Sequence, residues 1–312
     1  MGIIHKVGIG ERGLGIGRRL FHSPFTIPYS PFAIAFFLFS FAFSLSACAS
    51  TRPVVKIGLL APFEGVYRQE GYDALAAMRA AIAEQNPAGV DVLPLALDSS
   101  RDVARAAQKV LADPSVVAVV GPYWAVEGLS AGQLFGDDRW RHPYAPSGDA
   151  NWAADAVDAA TAFAEGERHT LVLAGIPPGW PQTGVEIVTA DDVQTGQAIL
   201  WLGDAAVGAD FAQAVWERLP DTPIGLYAAG ADTFRQRVEK GLTGPLFVVG
   251  WIDDDYPAWA TSHFPNTPAA YTVYRLTADV LRSLAGETVT TRWQPALFTV
   301  DNDGRLSLAS GR

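Results

Sequence analysis

Apolar and polar positions follow two alternating patterns along the chain, and their order predicts the fold. Short apolar runs rich in valine, isoleucine and leucine are typical of buried strands. The first three are 54–60, 90–97 and 116–120. Between them, apolar residues recur every three or four positions, as from Tyr72 to Ile82 and from Val103 to Leu111, which is typical of amphipathic helices. This order predicts a parallel sheet with right-handed crossovers.

A second round of the same pattern follows a predicted helix over about 152–164. The candidate strands of this round are 170–174, 198–202, 223–227 and 246–250, with helices over 208–219 and 269–284. The tail, 296–308, predicts a hairpin turning at Asn302-Asp303-Gly304. The segment 174–198 contains three prolines and leaves no room for a full crossover helix. The fold class is therefore α/β with two parallel-sheet lobes, of which the second is trimmed.

The most apolar part of the chain lies near its beginning, at Phe32–Ser46, where fifteen positions carry no charge. A membrane-spanning helix needs about 20 residues, so this run fits the core of an export signal better. Four basic residues and one acidic residue precede it, as expected of the cytoplasmic end of such a signal. Leu45-Ser46-Ala47-Cys48 follows and resembles a bacterial lipobox, whose cysteine is acylated; a free cysteine after a short apolar helix is the alternative.

Composition narrows the function further. The 312 residues include one cysteine, which excludes an intramolecular disulfide. The 23 basic and 33 acidic side chains give a net charge of −10, which argues against sequence-independent nucleic-acid binding. Without residues 1–47 the balance is 19 to 32, or −13. Gly8–Gly13 matches GxGxxG but lacks the flanking strand and helix of a dinucleotide site, so we expect no cofactor.

Three segments carry a family resemblance. VKIGLLAPFEG at Val55–Gly65, followed by Gly71, resembles the opening of the leucine/isoleucine/valine-type solute-binding proteins of ABC transporters. SVVAVVGP at Ser115–Pro122 is similar to their most recognisable strand and turn, and RHPYAPSGD at Arg141–Asp149 resembles their next strand and serine-rich ligand turn. The likeness covers about 54–150; over 170–312 it rests on strand order and on Tyr274.

The resemblance implies a type 1 periplasmic-binding-protein-like fold, in which two lobes joined by a hinge close on a small, amino-acid-like ligand. Residues 1–48 are then a lipoprotein signal peptide with its lipobox cysteine. Lobe 1 comprises 53–150, completed by about 251–285, and lobe 2 comprises 151–250 with 286–312. The expected partners are a small-molecule ligand, an ABC permease and the membrane, through a lipid anchor on the extracytoplasmic face.

In open α/β sheets, ligands bind beyond the carboxyl ends of the strands. The candidate ligand-binding residues at these ends are Glu64, Tyr123, Trp124, Ser147, Gly148, Asp149, Asp204, Tyr227 and Trp251. Each has an ordinary structural alternative, since aromatic residues often pack in cores and aspartates often cap the next helix.

Two positions depart from the family pattern. Ala125 stands where family members often carry a ligand-binding serine, and Asp149 stands where they commonly carry threonine. In the amino-acid binders these positions resemble a cradle for the ligand's carboxylate, and an ionised Asp149 would repel an anion there. Arg68 compensates only if it points inward. We therefore expect a neutral or cationic ligand rather than a plain branched-chain amino acid.

No enzyme motif is present after the signal: GxSxG, HExxH and Walker patterns are missing, and the histidines lie far apart. Asp253-Asp254-Asp255 fits a solvated loop better than a metal site. We expect a solute-binding lipoprotein that is not an enzyme and holds no metal. The alternatives are an envelope scaffold or sensor lipoprotein with the same fold, and a secreted hydrolase with an unrecognised site.

Overall fold

The first valine-rich runs form a four-stranded sheet in the order β2-β1-β3-β4, with every neighbouring pair parallel. Its strands are β1 (Val54–Ala61), β2 (Asp91–Asp98), β3 (Val116–Val120) and β4 (Trp140–Arg141). The three strands predicted first are confirmed. In this computed structural model the described residues are Phe36, 52–123, 138–147, 151–227, 230–238, 244–263, 267–301 and 305–309. We call this sheet and its helices lobe 1.

Helices cover both faces of this sheet because side chains alternate along each strand. Ile57 and Leu59 face α1 (Arg68–Gln85), whereas Leu60 faces α2 (Val103–Leu111) on the opposite side. Asp102 caps α2 by accepting a hydrogen bond from the backbone N–H of Arg105 over 2.9 Å.

Lobe 2 is built on a six-stranded sheet in the order β10-β9-β8-β7-β6-β5. Its parallel strands are β5 (Thr170–Ala174), β6 (Gln197–Trp201), β7 (Ile224–Tyr227) and β8 (Leu246–Ile252). β9 (Gln294–Val300) joins β8 antiparallel, and β10 (Leu306–Leu308) pairs with β9 as a hairpin. The parallel strands and the antiparallel pairing of β9 with β10 agree with the sequence analysis, whereas the turn predicted at Asn302-Asp303-Gly304 lies outside the described residues.

The connection from β5 to β6 contains no α-helix, as the prolines in this segment predicted. It consists of loops, one 3-10 turn at Ala190–Asp192 and an isolated parallel bridge between Leu173 and Ile187. The expectation that lobe 2 is trimmed is therefore confirmed at this crossover.

Helices also cover both faces of the second sheet. They are α3 (Trp152–Gly166), packed on one face, and α4 (Ala205–Arg218) with α5 (Ala231–Val238), packed on the other. A short α6 (Tyr256–Ser262) follows β8. α5 and α6 were not predicted from the sequence. No helix in the described part of the chain is long and apolar enough to span a membrane.

The last helix, α7 (Pro268–Leu284), packs along α1. One hydrophobic core joins these two helices to the first sheet and also includes Val248 of β8 and Phe298 of β9. The lobes therefore share a continuous interior on the α7 side. Residues 52–312 accordingly form one compact unit.

Candidate functional site

The two lobes meet at the carboxyl ends of their strands, in front of α1. The 3-10 turn Gly65–Tyr67 precedes this helix. The backbone N–H of Ala206, at the start of α4, donates to the Tyr67 hydroxyl over 3.0 Å. The same hydroxyl hydrogen-bonds to Asp204, and burial together with this carboxylate raises the pKa of Tyr67. Tyr67 thus links lobe 1 to the N-terminus of a lobe 2 helix.

A buried carboxylate makes the second link between the lobes. Glu70, in the first turn of α1, is only 5% exposed. Its Oε1 accepts hydrogen bonds from the backbone N–H of Thr233 over 3.1 Å and from the Thr233 hydroxyl over 2.5 Å. Its Oε2 is buried and has no hydrogen-bond partner. One oxygen of Glu70 therefore holds α5, and the other remains unsatisfied.

A cavity of about 30 Å³ lies beside Glu70, at the junction of the lobes. Its walls come from α1, the end of β3, the start of α5, β8, the start of α7 and β10. The lining residues are Glu70, Asp73, Tyr123, Gly230, Ala231, Asp232, Val248, Thr267, Pro268, Ala269 and Leu306. Three of these residues are acidic, and none is lysine or arginine.

The acidic groups of this cavity raise one another's pKa values, because each carboxylate disfavours a second negative charge nearby. Burial raises the pKa of Glu70; hydrogen bonding from Thr233 and from the backbone of Glu70 itself opposes this effect, and the nearby Asp232 strengthens it. Burial also raises the pKa of Asp73, again with a contribution from Asp232. The pKa of Tyr123 is raised by burial and by all three carboxylates. The cavity is therefore a region of negative potential beside the buried Glu70.

The candidate ligand-binding residues occupy different surroundings. Tyr123, which is 2% exposed, lines the cavity. Asp204 lies at the junction of the lobes, where it caps α4 by accepting from the Val207 N–H over 3.0 Å and bonds to Tyr67. Glu64 is exposed and forms an ion pair with Arg101 over 2.7 Å.

Two candidate aromatic residues, Tyr227 and Trp251, lie inside lobe 2. Both are buried and belong to the core beneath α3. The Tyr227 hydroxyl and the Trp251 indole N–H both donate to the backbone carbonyl of Tyr144. The indole also donates to the Tyr227 hydroxyl over 3.1 Å. In this structure the polar atoms of both side chains therefore connect the chain at Tyr144 to the interior of lobe 2.

Ser147 is exposed at the edge of the described segment 138–147. Trp124, Gly148, Asp149 and the lipobox residue Cys48 lie outside the described residues. Arg68 begins α1 but is exposed and does not line the cavity.

The acidic loop after β8 contributes to a structural ion-pair network. Asp253, which is 6% exposed, accepts a hydrogen bond from the Tyr271 hydroxyl and pairs with the Arg275 guanidinium over 2.9 Å. Arg275 also pairs with Asp255 over 3.2 Å. Within the described residues no group of three or more histidine, cysteine or acidic side chains is arranged to hold a metal ion.

Sequence reasoning missed Glu70, Asp73, Asp232 and Thr233. One signal for Glu70 was present, because the buried face of α1 includes Ala74, Ala77, Met78 and Ala81, and position 70 precedes this face at helical spacing. The chosen apolar stripe began at Tyr72, which is 55% exposed. The approach of Asp232 and Thr233 to α1 depends on how the lobes meet, and no local pattern reports it.

No protein-family model matches the sequence, and neither does any curated protein. A solved leucine-binding protein from Thermotoga maritima is similar, with a TM-score of 0.59 and 12% identity over 82% of this chain and 98% of its own. A possible leucine/isoleucine/valine-binding protein from Rhodopirellula baltica gives a TM-score of 0.54 and 12% identity, covering 85% of this chain and 98% of its own.

A third solved structure has a different kind of ligand. It is a solute-binding protein of an ABC transporter from R. palustris in complex with 4-hydroxybenzoate, with a TM-score of 0.56 and 12% identity over 81% of this chain and 95% of its own. Similar folds thus accompany different ligands, and at this identity the likeness concerns the fold alone. The resemblance seen in the sequence is confirmed at that level: the chain has the two-lobed α/β fold of the leucine/isoleucine/valine-type solute-binding proteins.

Proposed function

We propose that the protein is an extracytoplasmic solute-binding protein of an ABC transporter, which captures a small polar ligand between its lobes. The observation that carries this proposal is the cavity at the lobe junction, lined by Glu70 and Tyr123 from lobe 1 and by Asp232 from lobe 2. A ligand that contacts both lobes stabilises their closed arrangement over an open one. The closed arrangement would then present both lobes to a permease.

The proposed lobes are 53–150 with about 251–285, and 151–250 with 286–312. Two packing relationships support this division. α7 lies along α1 in the core of lobe 1, and β9 with β10 extends the sheet of lobe 2. The chain therefore crosses between the lobes more than once, which suits a hinge.

We further propose that residues 1–48 direct export and that Cys48 carries the lipid anchor. Two or more acyl chains give stable membrane attachment, whereas a single chain does not. Cys48→Ala should abolish labelling by radioactive palmitate in growing cells and move the protein out of the membrane fraction. Labelling that persists in Cys48→Ala would overturn the anchor at this residue.

A ligand screen followed by scattering tests the binding function. The full chain in detergent is heated with amines, amino acids, amides and sugars, because a ligand that binds only the folded state raises the melting temperature. Each hit is then studied by small-angle scattering after subtraction of the detergent contribution. We expect at least one class to stabilise the protein and to reduce its radius of gyration. Stabilisation without compaction would contradict closure between lobes.

The proposal assigns no catalytic role, in keeping with the solute-binding proteins that share the fold. A second candidate is an envelope scaffold or sensor lipoprotein without a transport role. The direct contact between Glu70 and Thr233 favours it, because the lobes already hold each other through their own side chains. Uptake measurements separate the two, since loss of a transport protein reduces uptake of its ligand and loss of a scaffold does not.

A further inference from the structure

The unsatisfied oxygen of Glu70 calls for a hydrogen-bond donor. Thr233 supplies both of its donors to Oε1, while Oε2 is buried and has none. A buried carboxylate oxygen without a donor is unfavourable, and native structures rarely leave one unpaired. Glu70 also lines the cavity, so its carboxylate is a buried, incompletely paired group beside any molecule bound there.

The negative charge of the cavity determines which charge the bound molecule should carry. Asp73 and Asp232 join Glu70 in its lining, and the described lining residues include no lysine or arginine. Asp73 accepts a hydrogen bond from the uncharged Gln69 over 2.8 Å. Asp232 pairs with Arg235 over 3.2 Å, which compensates one charge of the three. An excess of negative charge remains, and it favours a cation, most strongly beside the buried Glu70.

We propose that this cavity binds the ammonium group of a small organic cation that carries no carboxylate, with the Glu70 carboxylate accepting one of its N–H hydrogen bonds. The inference rests on the proposed function and names the ligand class of the same site. It also narrows the neutral or cationic ligand expected from the sequence to a cationic one.

The size and walls of the cavity fit an ammonium group. A volume of about 30 Å³ exceeds the roughly 10–15 Å³ that one water molecule needs in a cavity, and an ammonium group is of similar size to water. It offers three N–H donors, more than a neutral alcohol or amide nitrogen can direct at a carboxylate cluster. Val248, Pro268 and Leu306 supply apolar surface for the carbon atoms next to the nitrogen.

The same geometry disfavours an amino acid. Its carboxylate is attached to the carbon that bears the ammonium group, so it would lie close to the carboxylates of Asp73 and Asp232. Like charges at short range repel, and the described lining residues provide no lysine or arginine to offset them. For a zwitterion, the repulsion of its carboxylate therefore cancels much of the favourable binding energy of its ammonium group.

Three matched probes test the ligand class by calorimetry on the full chain in detergent. Butylammonium carries the cation alone, norvaline adds a carboxylate to the same carbon skeleton, and 1-butanol replaces the ammonium group with a neutral hydroxyl. We expect butylammonium to bind and the other two to bind at least about 30-fold more weakly, the factor that corresponds to losing a buried charge pair. Norvaline or butanol binding as tightly as butylammonium would overturn the inference.

Variants test the assigned residue. Glu70→Gln keeps the shape of the side chain but removes its charge, and we expect it to weaken butylammonium binding by about 30-fold or more. Glu165→Gln, at an exposed position of α3, makes the same chemical change away from the cavity and should bind like the unmodified protein. If Glu70→Gln does not fold, as judged by circular dichroism, Asp73→Asn removes a half-buried charge from the same cavity and should weaken binding several-fold. Unchanged affinity in the folded variant overturns the proposal.

The outcomes also separate this inference from the function on which it rests. If norvaline or another uncharged or zwitterionic compound binds and compacts the protein while butylammonium does not, solute capture stands and the cationic class is wrong. If no compound of the wider screen binds, solute capture fails as well.

Discussion

The carboxylate of Glu70 accepts two hydrogen bonds from Thr233, one from its backbone N–H and one from its hydroxyl. These residues belong to α1 of lobe 1 and α5 of lobe 2, so a single side chain of one lobe holds the start of a helix in the other. The contact is buried on both sides, with Glu70 5% and Thr233 4% exposed. The strength of the lobe junction can therefore be measured by changing either partner.

Thr233→Val tests this contact, because valine has nearly the shape of threonine but no hydroxyl. It leaves Oε1 of Glu70 with the backbone N–H alone, and we expect a loss of about 1–2 kcal/mol in the free energy of unfolding. Urea unfolding measures the loss. Thr261→Val, at an exposed position of α6, is the matched control and should change stability by less than about 0.5 kcal/mol. Equal losses in the two variants would show that the hydroxyl of Thr233 does not stabilise the junction.

The pH dependence of stability should report Glu70. Its pKa in the folded protein lies above the ordinary value of 4.5, because burial and Asp232 disfavour its charged form. The native state therefore binds this proton more tightly than the unfolded chain does. The resulting stabilisation is complete below pH 4.5 and is lost as the pH rises through the raised pKa. The other titratable groups around the Glu70 carboxylate are also present in Glu70→Gln. They are Asp73, Asp232, Tyr67 and Tyr123.

Comparing the unmodified protein with Glu70→Gln separates the contribution of the Glu70 proton from that of all other titrating groups. The free energy of unfolding of the unmodified protein minus that of the variant should increase as the pH is lowered from about 7 to about 4. Denaturant titrations at several pH values give this difference. A difference that is constant or that decreases toward acid would mean that Glu70 does not titrate above its ordinary range.

Gly71→Ala should destabilise the start of α1. A β-carbon at this position would lie 1.8 Å from the backbone oxygen of Pro62, so the helix and the loop after β1 would have to move apart. We expect a loss of about 1–3 kcal/mol, measured by thermal or urea unfolding. Gly166→Ala, at the last residue of α3, meets no atom within 4 Å and should be neutral or stabilising by up to about 1 kcal/mol. A neutral Gly71→Ala would contradict this close approach.

Arg275→Met should be more destabilising than Arg282→Met, although both residues lie on α7. Arg275 pairs with Asp253, which is 6% exposed, and its removal leaves that carboxylate buried without a cation. Such a loss costs about 3–5 kcal/mol. Arg282 pairs with Glu287 at the surface, where a pair contributes about 0–1 kcal/mol. Similar unfolding curves for the two variants would mean that the Asp253 pair is solvated.

Local patterns predicted most of the fold because strands and helices record burial directly in the sequence. β3 is apolar throughout, since helices cover both of its faces, and its bounds were predicted at Val116 and Val120. The missing helix between β5 and β6 was also predictable, because proline cannot continue a helix. By contrast, α5 was missed because it has few apolar residues and no clear apolar stripe. Two arginines lie in its last turn.

The candidate site was less predictable than the fold. Tyr123 and Asp204 were found because residues at strand ends and helix starts collect at the cleft of an α/β protein. Glu70 was missed because a glutamate in a first helical turn is ordinarily solvated, and only the contact with Thr233 buries it. That contact joins residues 163 positions apart, which no local pattern encodes.

The position of α7 has a consequence for biosynthesis. This helix completes the core around α1 and β1, yet it is made only after nearly all of lobe 2. The segment from β1 to β4, on the order of one domain in length, therefore emerges from the ribosome without the helix that closes its interior. Lobe 1 therefore completes its core only when the last helix has been synthesised, which delays its folding nearly to the end of translation.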